Sequence, residues 1–188
     1  MRAIPLVFLT NMLVLFAAVS HADALTAEET AAQAFYYQTQ DQYFEMLQLY
    51  DPAPIAELGE AFRYTLTKED DWDGERKAFL IQVFGSDDEE RLMRLSSIEV
   101  IAHLFNFLFT SQLSAEEREV LKAGQFRTVG TEQTEEGLTS VLYIVDFSAA
   151  GGGETDVKRM NLRQTDGVWQ IVIDPQIASV LAQIARAL

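Results

Sequence analysis

The hydrophobic period of this chain changes at Gly124, and that change sets the fold class. Before it, apolar residues recur every three or four positions, the spacing that collects them on one face of a helix. After it they alternate, the spacing of strands. Helices that precede strands, rather than interleave with them, describe an α+β domain. The strands are separated by only a few residues, and connections that short require antiparallel neighbours. The expectation is α+β: N-terminal helices, then a curved four-stranded antiparallel sheet, then a short C-terminal helix.

The helix starts are marked by chemistry. Thr26-Ala27-Glu28-Glu29, Ser86-Asp87-Asp88-Glu89, Ser96-Ser97-Ile98-Glu99 and Ser114-Ala115-Glu116-Glu117 each fit the capping box, in which a hydroxyl and a glutamate satisfy free backbone donors. The first helix is predicted from Ala27 to Tyr50, with Tyr36, Tyr43, Met46, Leu47 and Tyr50 as its stripe, and Asp51-Pro52-Ala53-Pro54 stops it. A second carries Ile55, Leu58, Phe62 and Leu66. A third runs from Gly74 to Phe84, where Gly85 supplies the stop that helix C-termini prefer. A short helix follows Ser86, the most apolar one spans Ser97 to Thr110, and another short one ends at Lys122-Ala123-Gly124.

Strands are predicted at Gln125 to Thr134, Leu138 to Ser148, Glu154 to Gln164 and Val168 to Ile173, with turns at Glu135-Glu136-Gly137, Ala149 to Gly153 and Thr165-Asp166-Gly167. Leu138 to Ser148 is apolar on both faces, which marks it as central. Asp174-Pro175 opens the closing helix, with Ile177, Val180, Leu181, Ile184 and Leu188 as its stripe.

Arg2, the apolar run Leu6 to Val19 and the small residues Ala22 and Ala24 make residues 1–24 a cleavable signal peptide. The run falls short of the ~20 residues that span a bilayer. A single domain over 25–188 and a periplasmic or secreted location follow as expectations, with no integral membrane anchor after cleavage. Cysteine is absent, so neither a disulfide framework nor a lipidated cysteine is available. Cleavage removes Arg2 and Asp23, one charge of each sign, and the formal net charge stays at −15. A chain this acidic is a poor partner for nucleic acid or an anionic membrane. It suits solubility, or attraction to a basic protein partner.

The residues that carry chemistry are few. Glu99, His103, Asn106 and Thr110 fall on one face of the most apolar helix. Glu99 would orient His103 as a general base, or the four form the one wet stripe of a core helix. Asp146, between Val145 and Phe147, would be an acid or base if burial raised its pKa; pairing with Arg159 or Arg163 accounts for it equally well. Glu69, Asp71, Asp73 and Gly74 resemble the start of a calcium loop, but the twelfth place holds Leu80 in place of the bidentate glutamate. Zinc lacks cysteine ligands. No metal and no cofactor is expected, and Gly151-Gly152-Gly153 precedes a strand, so it reads as a turn rather than a phosphate cradle.

The hairpin Thr165-Asp166-Gly167-Val168-Trp169-Gln170-Ile171, at the end of helices followed by an antiparallel meander, resembles the nuclear-transport-factor-two-like superfamily. That resemblance implies a cone with an open mouth, in a superfamily of small-molecule binders, isomerases, dehydratases and association subunits. Its isomerase-like members use carboxylates at positions of Asp146's type. A more distant similarity is to the periplasmic phospholipid-carrier component of lipid-transport systems, whose cavity holds acyl chains. The expectation is a non-enzymatic binding module whose cavity, lined by Phe105, Phe107, Tyr143 and Trp169, takes an apolar small molecule or lipid chain. The alternatives are a protein-association module, and an isomerase- or dehydratase-like enzyme using Glu99, His103 and Asp146.

Overall fold

The computed structural model describes residues 24–67 and 74–187. The expected signal peptide, apart from Ala24, and the acidic run Glu69 to Asp73 lie outside the described residues.

Thr26 caps α1 (Ala27–Thr39) in a full capping box with Glu29. The single helix expected to reach Tyr50 is two helices instead. Asp41 adopts a left-handed φ of 58°, which short polar side chains tolerate, and α2 (Tyr43–Leu47) leaves in a new direction. The break changes which tyrosine is inside: Tyr43 is 4% exposed while Tyr36 on α1 is 57% exposed. Asp51 accepts a hydrogen bond from Ala53 N at 3.1 Å as α3 (Pro52–Thr67) begins on its proline. After α4 (Gly74–Phe84), the next expected capping box is replaced by a cascade. Ser86 Oγ accepts from Asp88 N, and Asp88 caps α5 (Glu89–Met93) by accepting from Arg91 N at 3.2 Å. Full boxes open α6 (Ser97–Gln112) and α7 (Ala115–Lys122), at Ser96/Glu99 and Ser114/Glu117.

The sheet is an open antiparallel meander in the order β1 (Gln125–Gln133), β2 (Thr139–Asp146), β3 (Lys158–Thr165), β4 (Val168–Ile171). As expected, β2 is an inner strand, paired on both sides. β3 starts later than the alternation suggests. Glu154 makes only an isolated bridge to Asp146, and Thr155 Oγ1 accepts from Val145 N at 2.9 Å where a ladder bond would otherwise form. Asp166 and Gly167, with φ of 50° and 83°, make the β3–β4 turn, whose two positive φ values match the right-handed twist of a tight hairpin. The outer edge of β4 is met at its last residue: Ile171 N donates to Leu49 O at 2.8 Å, and Asp51 N donates to Ile171 O at 2.9 Å.

Asp174 accepts from Gln176 N at 2.7 Å and opens α8 (Pro175–Ala187). Of its expected stripe, Leu188 lies outside the described residues and the other four divide. Leu181 is buried and Ile184 packs on the core with Ala178, while Ile177 and Val180 remain exposed. α3 packs against both α6 and α8, and the core joins Phe62, Leu80, Val100, Ile101 and Leu104 of the helices to Val141, Leu162 and Ile171 of the sheet. Gly59 permits the closest crossing: a Cβ there would lie 2.3 Å from Ser97 Cβ and 2.5 Å from Ser97 Cα. No helix among the described residues is long and apolar enough to cross a membrane.

Candidate functional site

The four aromatics expected to line a cavity occupy separate places. Phe105 is 3% exposed and stacks with Tyr43 and Phe109, at ring-centroid distances of 6.4 and 6.0 Å. Phe107 meets Phe79 edge-on at 5.4 Å. Tyr143, on β2, stacks against Phe126 of β1 at 4.7 Å. Trp169 lines a cleft of about 400 Å³ between the start of α1 and the β3–β4 hairpin, with Thr26, Gln133, Thr139 and Gln164.

Glu99 and His103 do share a cleft, of about 370 Å³, between α6 and the Asp41–Glu45 stretch. Glu99 is already engaged elsewhere. The Glu99 carboxylate accepts from Ser96 N at 2.7 Å and Ser96 Oγ at 2.6 Å. Those two bonds hold its pKa below the ordinary 4.5, with only a minor contribution from His103. The His103 ring rests on Phe84 with centroids 5.4 Å apart. Thr110 bonds back to Asn106 O within α6, so it adds nothing to the cleft.

Asp146 is not among the residues of that cleft. Nor is its pKa raised, as the acid-or-base reading of it required. Hydrogen bonds from Ser148 Oγ and Ser148 N, helped by the charge of Arg127, lower it from 3.8. The expected arginine partners pair elsewhere, Arg159 with Glu132 and Arg163 with Asp51. The reason is local. A serine two residues after an aspartate at the end of a strand can fold back onto the carboxylate in an Asx turn, before any neighbouring strand competes for it.

Where α1, α2, α6 and α7 meet, they form a crevice that the sequence did not suggest. Phe35, Tyr43, Phe109, Leu113 and Leu121 wall a space of about 40 Å³, with Gln38, Thr39, Asp41, Arg118 and Lys122 around it. By the measure of a ~150 Å³ cavity that holds benzene, this admits the end of a chain rather than a whole ring. Tyr43 Oη donates to Asp41 Oδ1 at 3.3 Å, and Lys122 Nζ lies 3.5 Å from Asp41 Oδ2. Burial, and then the Asp41 carboxylate, hold the Tyr43 phenol well above its ordinary value, against an opposing pull from Arg118.

Arg63, Arg94, Arg127, Arg159 and Arg163 all pair with carboxylates. Nε of Arg118 is shut off from solvent and has no hydrogen-bond acceptor among the described residues. Leaving a buried donor unmet costs roughly 1–3 kcal/mol, more when it is charged. Sequence reasoning passed over Arg118 because Glu116-Glu117-Arg118-Glu119 reads as a solvated helix face. Among the described residues, no group of three or more histidines, aspartates or glutamates is placed to hold a metal ion.

No protein-family model, curated protein or solved structure matches this chain.

Proposed function

We propose that this protein is an exported, non-enzymatic binding module that receives the apolar end of a small molecule in the crevice between α1, α2, α6 and α7. The observation that carries this reading is an aromatic and aliphatic concavity, walled by Phe35, Tyr43 and Phe109, beside a small set of converging polar groups. Ligand sites are built in this way, with apolar walls for affinity and few polar groups for orientation. The nuclear-transport-factor-two-like kinship remains part of the proposal and rests on the Asp166-Gly167-Val168-Trp169 hairpin. Binding is favoured over catalysis because Glu99 is held by Ser96 and Asp146 by Ser148, in different parts of the molecule.

Expression with the native N-terminus in a bacterial host tests both halves of the proposal. Recovery from the periplasm of a chain whose N-terminal sequencing begins at Leu25 supports export; an intact Met1 in the cytoplasm ends it. Native mass spectrometry followed by organic extraction tests binding. A mass excess that extracts as an apolar compound, and is lost in Phe109→Asp, supports the crevice. A bare protein whose Phe35 and Phe109 resonances respond to no apolar probe overturns it.

A further inference from the structure

We infer that the ligand of this crevice carries a carboxylate, received by Arg118, next to the apolar end that enters between Phe35 and Phe109; the inference rests on the crevice reading above. Three observations converge on it. First, Arg118 Nε is buried and has no acceptor, although the chain carries 29 aspartates and glutamates against 14 lysines and arginines. The side chain as a whole is only half-buried and lines the crevice, where no carboxylate of the described residues pairs with it.

Second, the carboxylate lining the same crevice is already engaged. Asp41 accepts from Tyr43 Oη with one oxygen and faces Lys122 Nζ with the other. Lys122 follows Arg118 by one helical turn, on the same side of α7. Lys122 is matched by Asp41 and by Glu119 Oε1 at 3.6 Å, which leaves Arg118 as the crevice cation without a carboxylate partner among the described residues.

Third, the guanidinium is a planar fork. Its two Nη groups present paired N–H donors that match the two oxygens of a carboxylate, a fit that lysine cannot reproduce. The space beyond is apolar and small, so the group attached to the carboxylate is an alkyl chain entering by its end. A short aliphatic acid and a protein C-terminus ending in leucine share this chemistry.

The test is an NMR titration of the mature chain at neutral pH with hexanoate, with hexanamide, and with acetyl-Ala-Gly-Leu bearing a free carboxylate. Hexanoate is expected to shift the Phe35, Phe109 and Arg118 signals and to bind at least about tenfold more tightly than hexanamide. Arg118→Gln should erase that preference while leaving hexanamide binding unchanged, and Arg118→Lys should restore only part of it. Equal affinity of acid and amide for the native chain, or a preference that survives Arg118→Gln, overturns the carboxylate inference and leaves the crevice reading intact. If none of the probes reaches the crevice, the crevice reading itself falls. Peptide binding weaker than hexanoate assigns the carboxylate to a small acid. Tighter peptide binding keeps the carboxylate and overturns the small-molecule source.

Discussion

The two ends of α6 each meet an arginine, in opposite circumstances. At the N-terminal end, Arg63 donates to Leu95 O and to Ser97 Oγ, both at 2.7 Å, and its remaining charge meets Glu60. Toward the C-terminal end, Arg118 sits beside Phe109 and Leu113 with its Nε unmet. The first guanidinium ties α3 to the start of α6, across the seam where Gly59 lies against Ser97. The second ties nothing. A guanidinium whose donors are filled by the fold contributes to stability, while one that is half-buried and without a carboxylate partner leaves its outer donors available to a ligand.

The contrast is open to attack at several points. The largest effect is expected at the seam. In Gly59→Ala the new methyl meets the Cα of Ser97 as well as its side chain, so the backbones must part, at an expected cost of about 3 kcal/mol. That is a drop in Tm of roughly 10 °C, readable by calorimetry. A variant that melts with the native protein would show that the seam is loose. Next is Arg63→Ala, which removes charged hydrogen bonds from a side chain only 16% exposed and should cost about 2 kcal/mol. Its measure is the urea midpoint at unchanged slope.

Arg118→Met keeps the apolar stem and deletes the unmet donor. Without ligand it should leave stability unchanged, or raise it by up to about 1 kcal/mol. A loss as large as that of Arg63→Ala would abolish the distinction between the two ends. The smallest effect concerns pH. The carboxyls of Glu99, Glu117 and Asp146 are all held below their ordinary values of 4.5, 4.5 and 3.8, chiefly by the hydroxyls and backbone amides of Ser96, Ser114 and Ser148. Their folded pKa values are depressed, so what they contribute is complete above those ordinary values and is lost as pH falls through the lower ones. Glu99→Gln should therefore show a shallower decline in Tm than the native chain between about pH 5 and pH 3. An equal decline would place the acid sensitivity elsewhere.

What was legible in the sequence follows the range of the interactions. The boxes at Thr26, Ser96 and Ser114 close within three residues, and all three form. Ser86 does not cap, because Asp88 lies next to the helix start and takes the role. The alternation after Gly124 and the Asp166-Gly167 turn place the meander for the same local reason. By contrast, Gln40-Asp41-Gln42 contains neither glycine nor proline, so nothing in it announced a left-handed residue or a second helix. Gly59 is visible as a glycine within a helix, but its reason is Ser97, far along the chain. Aromatic content was plain, yet which rings fill the core and which wall a crevice depends on four helices meeting. Arg118 carries no local mark at all, since a surface arginine and an unmet one are written alike.

Asp41 belongs to both the crevice beside Arg118 and the cleft beside His103. It shares that position with Tyr43, and its own backbone is held at an unusual angle. An occupant of either chamber that draws this group toward itself alters the other chamber's affinity, and reciprocity makes the factor the same in both directions. Two openings that look separate on the surface share the corner made by Asp41 and Tyr43.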